Sequence, residues 1–462
     1  MGEGPKKQQI SAGLLAHVDA GKTTLSEALL YVSGAKRTLG RVDHGNAALD
    51  THELERERGI TIFSKQARLS TEHLDITLVD TPGHVDFGAE AERTLPVLDC
   101  AVLVISGTDG IQAHTLTLWR LLEAYQVPTF LFINKMDLPG KSRQELLTQL
   151  QQGLSPGCVD FGADFDTVAE AAAMCDEALL ESYLETGTVT AGNIQGLISG
   201  RKLFPCCFGA ALKLEGVEEL LHILDSYAPS RPVYEEFGAK IYKISRDPQG
   251  ARLTWLRITG GSLKVRESIA YINQKGEARE EKILQIRLYS GEKITAVEEA
   301  SAGMLCAVTG LSETFAGQGL GAEPAGAPPV LEPVMTYRVE LPKGCDPMTF
   351  LPKLRLLEEE DPQLHVLWDD HLKQIHVQIM GKIQLEILKS LIAQRFGIEV
   401  QFLDRRIYYK ETILAPVEGI GHFEPLRHYA EVHLLWSRCL WEVVSILTRF
   451  APRMCWTLAI SG

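Results

Sequence analysis

Nowhere does the chain carry an apolar run approaching the ~18 to 20 residues that a membrane crossing requires. Its first nine residues, MGEGPKKQQ, lack the apolar core of a secretory leader, and Lys6 stands where a myristoylation pattern needs Ser or Thr. The 9 cysteines include no CxxC pair, and only Cys206 and Cys207 adjoin, so neither a zinc ribbon nor a disulfide scaffold is expected. They read as small buried hydrophobes in a reducing compartment. Basic residues are in deficit, 46 Lys and Arg against 60 Asp and Glu for a net charge of -14, which argues against holding nucleic acid by bulk positive charge. These absences lead us to expect a cytoplasmic monomer with neither membrane nor DNA as a partner.

What is present is ordinary globular material: 462 residues, 45% hydrophobic and 23% charged, enough for about three domains. Over 9–228, apolar runs at 10–16, 76–80, 100–106, 129–134 and 203–208 alternate with helical patterns at 22–31, 113–124 and 167–185. That alternation predicts an α/β domain, 1–230, with a parallel sheet covered by helices on both faces. Short alternating runs at 239–244, 252–258, 283–288 and 304–308 predict a β-barrel over 231–316. A Gly/Pro linker is expected over 317–332. Residues 333–404 then read strand, helix, strand, strand, helix, strand, the order of a ferredoxin-like α+β domain.

Ala16, His17, Val18, Asp19, Ala20, Gly21, Lys22, Thr23 and Thr24 follow the first strand and open a helix, the setting of a phosphate-binding P-loop. Loop amides would cradle phosphates, Lys22 would reach the β and γ oxygens, and the Thr23 hydroxyl would meet Mg2+. Asp80-Thr81-Pro82-Gly83-His84 ends the next strong strand, where Asp80 can hold Mg2+ through water and the Gly83 amide can meet the γ-phosphate. Between them, in Arg58-Gly59-Ile60-Thr61-Ile62, Thr61 can supply the metal with a further oxygen. Contacts that need the third phosphate would make both segments a switch. At Asn134-Lys135-Met136-Asp137, the Asp137 carboxylate can accept the N1 and N2 protons of guanine, which adenine lacks. Lys135 can lie over the base, Asn134 can tie this loop to the P-loop, and Gly209-Ala210-Ala211-Leu212 offers the Ala211 amide to the guanine oxygen.

Together AHVDAGKTT, RERGITI, DTPGHVDF and NKMD resemble translational GTPases of the elongation factor G class, and GKIQLEI at 381–387 resembles that class's third-domain motif. The short gap between Asp137 and Ala210 resembles the tetracycline-resistance ribosomal protection proteins. The resemblance implies binding of GTP and GDP, hydrolysis stimulated by the ribosome with ribosomal RNA as activator, and a water-orienting role for His84, with Lys22 and Thr61 also in the catalytic set. It implies that Asp19 helps hold a monovalent cation. Two departures stand out: Ala210 replaces the usual Ser of the last guanine motif, and Ala16 stands at the first P-loop glycine.

Residues 405–435 read as the start of an incomplete fourth domain. The stretch 436–462, with three of the 6 tryptophans, is expected to be an aberrant tail translated in a shifted frame. On that expectation the alternative function is a truncated GTP-binding product without effector activity on the ribosome.

Overall fold

A computed structural model of the chain describes residues 7–40, 55, 61–229, 231–407, 415–423, 430–436, 448–449 and 456–457. The first apolar run is strand β1 (Gln8–Ala16), buried from Ile10 to Ala16, followed by helix α1 (Lys22–Val32). Then come β2 (Lys65–Ser70), β3 (Leu74–Asp80), α2 (Gly88–Thr94), β4 (Cys100–Ser106), α3 (Ala113–Ala124), β5 (Thr129–Asn134), α4 (Arg143–Gly153) and β6 (Cys158–Asp160). Helices α5 (Phe165–Ala173), α6 (Glu177–Thr186) and α7 (Ala191–Ser199), strand β7 (Phe204–Phe208) and helix α8 (Val217–Tyr227) complete the domain. The strands form one sheet in the order β2-β3-β1-β4-β5-β7-β6. Apolar side chains pack on both faces, Leu14, Leu25 and Phe132 in one core and Leu15, Leu118 and Ile133 in the other.

The parallel sheet is there as expected, with one unexpected addition at its edge, strand β2, which pairs antiparallel with β3. Its polar string, KQARLS, hid it; the buried Gln66 donates through Nε2 at 2.5 Å to the Tyr242 hydroxyl of the next domain. The helix expected over 167–185 is two helices. Asp176 is extended and its carboxylate accepts the Leu179 N–H at 3.1 Å, so it caps a new helix where the old one stops. Strand β6 and helix α7 were also missed.

The second domain holds β8 (Gly238–Arg246), β9 (Arg252–Gly260), β10 (Ser262–Lys264), β11 (Ser268–Ile272), β12 (Ala278–Lys282), β13 (Gln285–Ser290), β14 (Lys293–Val297), β15 (Glu299–Ser301), β16 (Leu305–Thr309) and β17 (Gly319–Gly321). Six of them form a sheet in the order β14-β13-β16-β9-β8-β17, and the ribbons β10-β15 and β11-β12 help enclose the same apolar core. Strand β17 corrects the linker: its residues pair with Gly238 to Lys240 rather than spanning free. A Gly-Leu-Gly strand offers no alternation to read, and at Gly321, φ 61, a side chain would collide with Phe237.

The third domain follows the expected order: β18 (Met335–Glu340), α9 (Pro347–Glu360), β19 (Leu367–Asp369), β20 (Gln374–Ile379), α10 (Lys382–Phe396) and β21 (Gln401–Ile407). The sheet order β19-β20-β18-β21 is that of a ferredoxin-like unit. From Ile407 the chain enters a separate unit with an antiparallel hairpin, β22 (Val417–Phe423) and β23 (Ala430–Trp436), onto which Thr448–Arg449 and Trp456–Thr457 pair in turn. The rest of 437–462, on which the frame-shift expectation bears, lies outside the described residues.

Candidate nucleotide site

Strands β3, β1, β4, β5 and β7 are successive neighbours in one parallel array, so the segments leaving their C-terminal ends share one rim, the place where open α/β sheets bind ligands. The P-loop leaves β1 at Ala16, which is fully buried. It turns through two left-handed residues, Asp19 at φ 62 and Gly21 at φ 88. A side chain at Gly21 would strike the Asn134 amide. Helix α1 then starts at Lys22 with neither a side-chain cap nor an acidic residue in its first turn, leaving its amides to an anion. Thr23 and Thr24 lie partly exposed in that turn, as Val18 does in the loop.

Lys22 is buried, with Nζ 2.5 Å from Asp80 Oδ1 and 3.4 Å from Thr61 Oγ1. The P-loop lysine, the end of β3 and the segment before β2 thus meet at one ammonium group. Burial pushes the Asp80 carboxyl above its ordinary pKa, while the Lys22 charge pulls it down. Asp80 Oδ2 is buried with no hydrogen-bond partner, an orphan acceptor that suits a carboxylate meant to face a metal-bound water. A side chain at Gly83 would come within 3.3 Å of the Ala16 carbonyl oxygen, so the turn after β3 passes close over the P-loop. His84 is half-buried beyond that turn. Its Nδ1 accepts the Asp86 N–H at 3.1 Å, and its ring stands edge-on to Phe87 at 6.2 Å. Of the expected switch segment, Arg58, Gly59 and Ile60 lie outside the described residues, whereas Thr61 and Ile62 are both buried.

At the base end, Asn134 joins two loops. Its Nδ2 donates to the Ala20 carbonyl at 2.9 Å and its Oδ1 accepts the Ala211 N–H at 2.9 Å. The second bond differs from the expectation for Ala211, whose amide was to meet the guanine oxygen; here it supports Asn134. Ala210 is buried and Leu212 exposed. Lys135 has φ 63, and Asp137, partly buried, pairs with Lys213 at 3.1 Å.

Four residues escaped the sequence reading. Lys213 partners Asp137. Asp86 sits beside His84 and also accepts the Ile383 N–H at 2.7 Å. Glu90 accepts from Ser64 Oγ, Lys243 and Arg93, each at 2.6 Å, which ties the domain to the barrel. His114 is buried with neither ring nitrogen paired, its ring centroid 6.0 Å from that of His17, whose Nδ1 is likewise unpaired. Glu90 was readable only as one of the charges following DTPGHVDF, and nothing local signals its partners.

Residues 7–230 match the family described as the elongation factor Tu GTP binding domain, 236–322 elongation factor G domain 2, and 330–404 elongation factor G domain III. The tetracycline resistance protein TetP of Clostridium perfringens is 33% identical over 88% of this chain and 66% of that protein. The oxytetracycline resistance protein of Streptomyces rimosus is 33% identical over 91% and 69%, and elongation factor G 1 of Geobacter sulfurreducens 31% over 90% and 71%. The chain thus spans about two thirds of the length of these relatives. A crystal structure of a Thermus thermophilus protein superposes with a TM-score of 0.76 at 25% identity, covering 94% of this chain and 73% of that one.

Proposed function

Since this chain belongs to the elongation factor G class of translational GTPases, we propose that it binds and hydrolyses GTP on the ribosome and acts there as the tetracycline-resistance relatives do. The single observation that carries the reading is the convergence of four separate loops on one rim, with Asn134 bonded at once to the P-loop and to the loop after β7. Asp137 reads the 2-amino purine edge, because a carboxylate left beside adenine would lose both of its partners.

Lys22 turns from Asp80 to the β and γ oxygens of the nucleotide, and the amides of Asp19 to Thr24 hold the phosphates. Thr23, Thr61 and, through water, Asp80 would hold Mg2+, which would supply positive charge to offset that of the phosphates. The orphan Asp80 oxygen and the Thr61 hydroxyl beside Lys22 suit that role. His84 orients the attacking water. With Nδ1 accepting from the Asp86 amide, the neutral ring carries its proton on Nε2, ready to donate. Intrinsic turnover is on the order of 10⁻⁴ s⁻¹, as for unassisted GTPases, and ribosomal RNA as activator lowers the barrier by about 7 kcal/mol for a ~10⁵-fold gain.

The protein works as a monomer in the cytoplasm, its barrel and third domain docking on the ribosome. Among the described residues no helix is long and apolar enough to cross a membrane. The test is GTP turnover with and without 70S ribosomes, followed by rescue of translation under tetracycline. Stimulation with rescue is the expected result. Turnover indifferent to ribosomes would refute the reading, and stimulation without rescue would restrict it to the GTPase step.

A further inference from the structure

Helix α10 of the third domain follows Gly381 at its N-terminal cap and has neither a capping side chain nor an acidic first turn of its own. Its cap comes from another domain. Asp86, in the turn after β3, accepts the Ile383 N–H through Oδ2 at 2.7 Å, across 297 residues of sequence. A carboxylate at a helix N-terminus is held both by the amide and by the helix dipole. The backbone N–H of this same residue fixes His84 Nδ1 at 3.1 Å, and its Oδ1 lies 3.5 Å from that nitrogen.

Two features mark the contact as fitted. Gly381 is extended, φ -166, so no backbone strain demands glycine there; a side chain at 381 would instead overlap the Asp86 carboxylate. Around it Ile62 and Phe87, from the two segments expected to switch, pack with Ile387 in one buried cluster, joined by Ile383 and Leu391 on the same helix face.

We propose that Asp86 is a positioning residue that couples third-domain docking to hydrolysis: capping α10 holds the turn that aims His84, so the imidazole is aligned only while the third domain is seated. The inference rests on the GTPase reading above and adds the residue through which the third domain acts on the reacting end.

The experiment uses the full chain and the variants Asp86→Ala, Asp86→Asn, Gly381→Ala and Asp86→Ala/Gly381→Ala. Ribosome-stimulated kcat and KM for GTP are measured beside the 15N shifts of the His84 ring, assigned by the signal missing from His84→Gln. We expect Asp86→Ala and Gly381→Ala each to lower kcat about tenfold to a hundredfold, with KM within about twofold, and to change the His84 ring shifts. Asp86→Asn keeps an acceptor for the Ile383 amide and stays within about threefold of the parent. Because Gly381→Ala acts only by displacing Asp86, the double variant falls no more than about twofold below Asp86→Ala. Additive losses, or an Asp86→Ala protein with unchanged kcat and unchanged His84 shifts, would overturn the proposal. If the parent itself shows no stimulated turnover, the functional reading fails, while the His84 shifts still decide whether Asp86 holds the ring.

Discussion

Lys213 and Asp137 form an ion pair of 3.1 Å on the rim, so the carboxylate assigned to the guanine edge is already steadied by a residue from the loop after β7. The lysine side chain is 53% exposed and the aspartate 15%, which separates their roles. A pair with one end in solvent contributes little by itself, whereas the carboxylate is the group proposed to tell guanine from adenine.

Asp137→Asn therefore lowers GDP affinity by about 100-fold or more, since an amide presents only one acceptor to two purine donors. Lys213→Ala changes it by less than about threefold. Isothermal titration of both variants checks the contrast, and equal losses would mean that the pair, not the carboxylate, reads the base.

Gly21→Ala is expected to abolish measurable nucleotide binding. The residue sits at φ 88, where a side chain costs about 1 kcal/mol or more, and its Cβ would push the Asn134 amide off the Ala20 carbonyl. Fluorescent GDP titration reads the loss directly.

Glu90 is buried between Lys243 and Arg93. Burial alone would raise its pKa, but those two cations hold it far below the carboxylate range. Glu90→Gln leaves Lys243 without its carboxylate partner and should cost about 3 kcal/mol at pH 7, seen as a lower midpoint in urea unfolding. The sign with pH follows from the depressed folded-state value: this contribution is complete above about pH 4.5 and is lost as pH falls, so the gap between parent and variant narrows in acid.

His114 adds to the same acid sensitivity, but by staying neutral rather than charged in the folded protein. Burial first, and then the neighbouring His17 and His84, lower its pKa to about 4 from the ordinary 6.5. The unfolded chain takes up that proton below about pH 6.5 while the folded one resists it until about pH 4, so stability falls across this window. Between pH 7 and pH 5 the loss is about 2 kcal/mol. His114→Leu should remove that share of the acid sensitivity, as measured by urea unfolding at the two pH values.

The four rim motifs were legible because each is a short string at the end of an apolar strand, and the order of the third domain was legible because its helices keep their apolar spacing. Strand β2 was not, since KQARLS is a sheet edge whose Gln66 side chain finds its partner in the barrel, and its backbone does too: the Arg68 N–H donates to Ser290 Oγ at 3.0 Å. Asp176 carried a helix-capping signal that the run of Ala and Glu around it masked. The Asp86 link to Ile383 could not be read at all, because its partners are 297 residues apart and neither is unusual in its own surroundings. Local chemistry announced the nucleotide site; the contacts that join it to other domains came only with the fold.

The guanine-reading rim is tested most directly by equilibrium titration of the purified chain with GDP and ADP in parallel. Binding of GDP about 10⁴-fold tighter than ADP is the result the Asn134 and Asp137 geometry predicts. Comparable affinity for the two nucleotides would contradict it.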